Sequence, residues 1–226
     1  MGLGISSGWR VPGKLSGVND KYLEPYRQAQ ATHGASFEAT LWARPETQQR
    51  RFAVFAEMVE FSGRRILDAG CSRGDFAAWL NEQGVDYAHF LGVDGVDEVI
   101  AFAQQRGLPR AAFVAADFVR DPGTLGAGLA ADQRPEVVAV SGTLNTMDWP
   151  TARGVLEAAW AGCTDTLVFN FLSDRCGPGA PVQLDPAVRL PTDAVLDWAW
   201  SQTWNVTFRQ DYFDHGHDAT VRMVRG

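Results

Sequence analysis

Three aspartates, Asp68, Asp94 and Asp117, each stand at the end of a short apolar run. Between the first and second lies Asp68-Ala-Gly70-Cys71-Ser72-Arg73-Gly74, after which the pattern turns helical. A glycine turn lets backbone approach a ligand with no Cβ in the way. The helix start behind it offers unpaired N–H groups to an anion. Asp94 follows Gly70 at roughly the 20-residue spacing at which an acidic side chain accepts from ribose hydroxyls, and charge-assisted acceptors are the stronger kind. The chemistry these residues suit is capture of a nucleotide-like ligand through its ribose hydroxyls. A nicotinamide site would ask for Gly-x-Gly-x-x-Gly; Asp-x-Gly-x-Ser-x-Gly stands here instead.

Further residues have both a chemical and a structural reading. Asn145 follows a strand end, where it suits either a substrate hydrogen bond or a turn. His215 and His217 lie in a hairpin turn, as acid–base candidates or as solvated turn residues. Arg50 and Arg51 could hold an anion bidentately, or lie solvated on an exposed helix face. Tyr22, Tyr26 and Trp42 could enclose a cation with their rings or pack in a core. Trp160, Trp198, Trp200 and Trp204 read as aromatic packing of late helices on the sheet. His33 closes a helix, where a partly positive imidazole suits the dipole. Cys71, Cys163 and Cys176 are too far apart for a disulfide framework or a zinc site, so no metal is expected.

The elements that must position these groups alternate regularly. Residues 1–17 are glycine-rich and aperiodic, a flexible arm. Helices are expected over 18–33 and from Pro45 through Phe52, Phe55, Met58 and Val59, and together residues 18–60 form a helical cover. Strands follow near 66–68, 87–93, 112–116, 136–141 and 164–171. Helices over 75–83, 96–105 and 151–160 separate them, with a polar, glycine-rich stretch at 121–133. This alternation predicts parallel pairing with helical crossovers on both faces. A loop over 172–191 and a helix over 193–200 then lead to strand patterns at 206–212 and 219–224. No helix fits between those two, so they must pair antiparallel.

Composition narrows the setting. A chain of 226 residues, 46% hydrophobic and 21% charged, is folded and globular, not disordered. A net charge of −7 opposes a broad nucleic-acid footprint. No apolar run approaches the ~20 residues of a membrane span, and no secretory signal is recognisable. The expected setting is cytoplasmic and reducing. Oligomeric state leaves no mark in the sequence.

The motif around Asp68, Gly70 and Gly74 resembles that of the class I S-adenosylmethionine (SAM)-dependent methyltransferases, [Asp/Glu]-x-Gly-x-Gly-x-Gly, departing from it at Ser72. The resemblance runs through residues 60–226. Leu41-Trp42, Gln48 to Phe52, Ser141 to Asn145, Phe169 to Ser173 and the Asp211-Tyr212 and His217-Asp218 pairs look like a poorly characterised bacterial subgroup. It implies an α/β, Rossmann-like fold. Its seven-stranded mixed sheet would have five parallel strands plus a C-terminal antiparallel hairpin, with helices on both faces and residues 61–226 as the SAM-binding domain. By the same resemblance Gly70, Cys71 and Gly74 would surround the methionine portion and Asp68 its ammonium. Asp94 and Gly95 would take the ribose, and Asp117 and Phe118 the adenine. Ser141 and Gly142 would face the reacting methyl, with Tyr26, Trp42, Arg51 and Asn145 towards the acceptor.

The implied activity is methyl transfer from SAM to an unidentified small molecule. A non-catalytic SAM- or nucleoside-binding protein and an aminopropyltransferase-like enzyme are the alternatives. No Asn-Pro-Pro-Tyr motif follows the fourth strand, which argues against base N-methylation in DNA. The sequence leaves oxygen, nitrogen and carbon acceptors open.

Overall fold

The computed structural model describes residues 20–226, so the expected arm lies outside the described residues. Seven strands form one sheet in the order β3-β2-β1-β4-β5-β7-β6. β1 (Arg65–Ala69), β2 (His89–Asp94), β3 (Ala111–Ala115), β4 (Val137–Val140) and β5 (Thr166–Leu172) run parallel. β7 (Asp218–Val224) lies antiparallel against β5, and β6 (Val206–Arg209) closes the edge antiparallel to β7. The expected architecture is therefore present, terminal hairpin included.

The helices are α1 (Glu24–His33), α2 (Pro45–Met58), α3 (Asp75–Glu82), α4 (Asp97–Gln105), α5 (Trp149–Gly162) and α6 (Thr192–Gln202). Strands covered on both faces read as unbroken apolar runs, as in Val137 to Val140, every one of them buried. One core layer joins Leu67, Val138, Leu167 and Phe169 to Leu156 of α5 and Trp198 of α6. The other joins Ile66, Phe90 and Val168 to Phe76 of α3 and to Phe52, Val54 and Phe55 of α2. Fully burying a side chain such as Phe55 stabilises by about 1.5–3 kcal/mol, and the Phe52 and Phe76 rings meet at 4.9 Å. α2 is thus part of the sheet's own core, while α1 lies over the strand ends.

Strand order reverses between β1 and β4. The crevice where ligands bind such sheets opens there, beyond the carboxyl ends of the strands. β1, β2 and β4 deliver Asp68, Asp94 and Ser141 to that edge.

Several expectations need correction. The helix expected over 18–33 is a short 3-10 turn, Asp20–Tyr22, followed by α1, because Pro25 belongs in a first helical turn and cannot sit further in. α5 begins two residues before Thr151, where Asp148 accepts the Thr151 N–H at 3.0 Å as its cap. β6 stops at Arg209, and the Gln210 side chain then donates to the Gly216 and Arg175 carbonyls, closing the turn early. Trp160 and Trp198 pack as expected, but Trp200 is 56% and Trp204 87% exposed. Trp198 points α6 at the sheet, and residues two apart on a helix cannot share a face.

Candidate functional site

A cavity of about 270 Å³ lies beyond the ends of β1, β2 and β4, roofed by α1 and the 3-10 turn Phe37–Thr40. Asp68, Asp94 and Asp117 all line it, so the three strand-end carboxylates converge on one space. Gly70, Cys71, Gly95, Phe118, Ser141, Gly142, Tyr26, Trp42, Arg51 and Asn145 line it as well.

Asp68 is 3% exposed, and its carboxylate makes no hydrogen bond among the described residues. Burial, then the neighbouring charges of Asp94 and Asp75, push its carboxyl up to about 8. A buried, unpartnered acid facing a cavity suits a cation that would restore its charge. Asp94 accepts the Ser72 N–H at 2.9 Å and the Val96 N–H at 3.0 Å. Burial raises it to about 6 against those hydrogen bonds. Two backbone donors leave a carboxylate with unused lone pairs, so the Asp94 side chain is fixed in position and still able to accept from a ligand. Asp117 accepts the Tyr22 hydroxyl on both oxygens, at 2.9 and 2.8 Å. Tyr22, just ahead of α1, thereby ties the cover to the end of β3.

The glycine turn works differently from the sequence reading. The Gly70 and Cys71 N–H groups both donate to the Val93 carbonyl, at 2.8 and 3.1 Å. They hold the turn to β2 and are not offered to a ligand. Gly70, at φ 80°, also has Thr143 Oγ1 2.1 Å from where a Cβ would stand, so no other residue fits there. Gly74 does not line the cavity; it packs against the Phe113 ring. Ser72 has φ 45°, the left-handed region that explains the preference for glycine at this motif position.

At the end of β4 the Gly142 N–H donates to Asn170 Oδ1 at 2.7 Å. Trp42 stands 2.2 Å from the position a Gly142 Cβ would take, so the cover packs directly on this strand end. Arg51 is neither exposed nor free, and the solvated reading is corrected. It is 4% exposed, with Nε and Nη2 on the Asp218 carboxylate at 2.7 and 2.5 Å and Nη1 on the Thr47 carbonyl. Its guanidinium lies 4.2 Å from the Trp42 ring centre and 4.8 Å from that of Phe213. Burial alone would raise Asp218; the His217 hydrogen bond and the Arg51 charge hold it below the usual carboxylate range.

Asn145 lies in the 3-10 turn Thr143–Thr146, and its Oδ1 is buried without a hydrogen-bond partner. Burial raises the Tyr26 hydroxyl to about 12, partly offset by Thr146. His215 and His217 do not line the cavity. His217 lies beside the end of β5, its carbonyl accepting the Ser173 N–H at 2.9 Å, but its ring turns to Asp218, 2.9 Å away, and stacks on Phe213. Thr143, Asn170 and Asp218 were missed as site residues. Asn170 did carry a signal, a polar side chain inside the apolar run of β5.

Residues 66–166 match the family model described as a methyltransferase domain. Over that stretch, a little under half of its length, the chain is similar to a methyltransferase domain, and its strand order is that of the class I SAM-dependent methyltransferase fold. A ubiquinone biosynthesis O-methyltransferase of Xylella fastidiosa (strain M23) is 33% identical over 97 residues, which cover 39% of this chain and 38% of that protein. The match thus spans about two fifths of the length of that curated relative. Magnesium protoporphyrin IX methyltransferase from Synechocystis PCC 6803, solved with bound S-adenosylhomocysteine (SAH), superposes with a TM-score of 0.60 at 14% identity, over 90% of this chain and 94% of that one. Phosphoethanolamine N-methyltransferase 1 of Haemonchus contortus, in complex with phosphoethanolamine and SAH, gives 0.67 at 11% identity, over 91% and 48%. Likeness at these identities speaks for the fold. No helix among the described residues is long and apolar enough to cross a membrane.

Proposed function

We propose that the protein is a SAM-dependent methyltransferase acting on a small molecule. The observation that carries this is the convergence of Asp68, Asp94 and Asp117 on one cavity, with Asp68 buried and unpartnered. Asp68 would hold the cofactor's ammonium and Asp94 its ribose hydroxyls. Asp117 would take the adenine amino group beside Phe118, sharing its oxygens with Tyr22. SAM supplies an electrophilic methyl on a sulfonium, already a good leaving group. The chain then needs to align the acceptor with that methyl and exclude water, which supplies much of the rate. The roof of α1 and Trp42 over Gly142 suits that task. The small-molecule acceptor is supported by the modest size of the cavity, about 270 Å³, and the acidic balance of the chain. The curated relative is named for O-methylation in ubiquinone biosynthesis, which is compatible with an acceptor of modest size.

Calorimetric titration tests the reading. SAM and SAH should both bind, and Asp94→Ala should weaken both by about 1–3 kcal/mol through unpaired ribose donors. Absence of binding, or unchanged affinity in a folded variant, contradicts it.

A further inference from the structure

We propose that two copies of this chain dimerise by pairing β6 of one antiparallel with β6 of the other, extending the sheet across a two-fold axis. β6 is the end strand, paired on one side with β7 and on the other with no described residue. At its head the Val224 N–H donates to the Asn205 carbonyl at 3.0 Å. In an antiparallel ladder the direction of these groups alternates along the strand. Asn205, Thr207 and Arg209 therefore turn their backbone groups to β7, whereas Val206 and Phe208 turn theirs to the open edge.

An open edge is a template for another strand, and natural sheets blunt it with charge, proline or a covering segment. β6 holds no lysine or proline, and residues 198–208 carry no charged side chain. Arg209, at the far end of the strand, is already bonded to Glu57 and Asp211. Large aromatics stand exposed around this edge instead. Trp200 lies in the last turn of α6, Trp204 two residues ahead of β6, and Phe208 within it. Val206 and Phe208 share one face of the strand by its period of two. Val206 packs on the core layer that holds Trp198 of α6, so Phe208 carries that apolar layer out to the edge.

The occupant that fits is a second copy, because an antiparallel pair about a two-fold is self-complementary. With the axis through Thr207, Val206 of each copy faces Phe208 of the other, and all their outward backbone groups are paired. Arg209 then stands opposite Asn205. No like charges meet across the axis, although each copy carries a net charge of −7. Aromatic side chains without charges among them are the composition of an interface centre. Trp200, Trp204 and Phe208 expose roughly 400 Å² between them, about half of what one partner contributes to a standard interface. The β6 backbone with Gln202, Asn205 and Thr207 adds to this.

Sedimentation equilibrium of the full chain, diluted through the micromolar range, tests the proposal. Wild type should reach twice the chain mass at the upper end. Phe208→Lys and Trp204→Ser, both at exposed side chains, should each weaken dimerisation about ten- to a hundredfold with unchanged far-UV circular dichroism. Val206→Pro removes an N–H that faces away from β7 and should do the same; Phe208→Lys carries the test alone where that proline variant does not fold. In the dimer the Val206 and Phe208 amides should exchange slowly with deuterium, and in dilute monomer quickly. A wild type that stays monomeric throughout overturns the proposal. So does a dimer that Phe208→Lys leaves undiminished, or fast exchange of both amides within the dimer.

Discussion

On the proposed reading Asp68 exchanges stability for ligand recognition, and its titration makes that measurable. Its folded carboxyl near 8 stands above the ordinary value of 3.8, so between those limits the folded ligand-free protein keeps a proton that the unfolded chain has lost. This contribution is complete below the unfolded value and disappears as pH rises through the folded one. Asp94 adds the same sign over a shorter window, up to about 6. Asp68→Asn should therefore raise the melting temperature relative to wild type at about pH 8.5 and leave little difference near pH 4, read by thermal unfolding. A cationic ligand beside Asp68 favours its charged form. Binding of SAM between about pH 6 and 7 should accordingly release protons, seen as a dependence of calorimetric heat on buffer ionisation, and Asp68→Asn should abolish that release. Ser72, at φ 45°, is strained where glycine would not be. A left-handed residue costs about 1–2 kcal/mol and glycine returns part of this as backbone entropy. Ser72→Gly should thus stabilise the protein by up to about 1 kcal/mol in urea unfolding.

Among the elements, α2 and β7 depend on each other through Arg51 and Asp218, residues 4% and 1% exposed. Removing one partner of a buried pair leaves a charge uncompensated and costs about 3–5 kcal/mol. Arg51→Ala should show that loss in urea unfolding. The double variant with Asp218→Ala should recover part of it, since neither charge then remains. This contact was illegible in the sequence: the partners are 167 residues apart, and an arginine beside Phe52 on a periodic helix gives no sign of a partner. The five parallel strands were legible because burial on both faces leaves apolar runs, and the hairpin because no helix fits between its strands. The three aspartates were legible because strand ends fix their location before any contact is known. The inward-turned amides of Gly70 and Cys71 were not, because their acceptor, the Val93 carbonyl, belongs to the next strand. For His215 and His217 residue type was legible, whereas the turn of the His217 ring towards Asp218 and Phe213 was not.

Over the whole molecule, two core layers fix a sheet whose reversal point opens a cavity, and the segments ahead of β1 complete it in two ways. α2 joins the core beneath the site. Tyr22 and Trp42 instead bridge the cavity's roof to Asp117 and Gly142. The side of the cavity proposed for the methyl donor is built from strand ends, whereas the side proposed for the acceptor is built from Trp42, Asn145 and the loop through Pro186. That division accounts for how much more of the donor half could be read from the chain. A crystal structure of the SAH complex tests the central claim most directly. The account predicts adenosine between Asp94 and Asp117, the amino group of the methionine portion on Asp68, and the sulfur facing Gly142 and Asn145. SAH lying elsewhere, or in this cavity with Asp68 and Asp94 untouched, would contradict it.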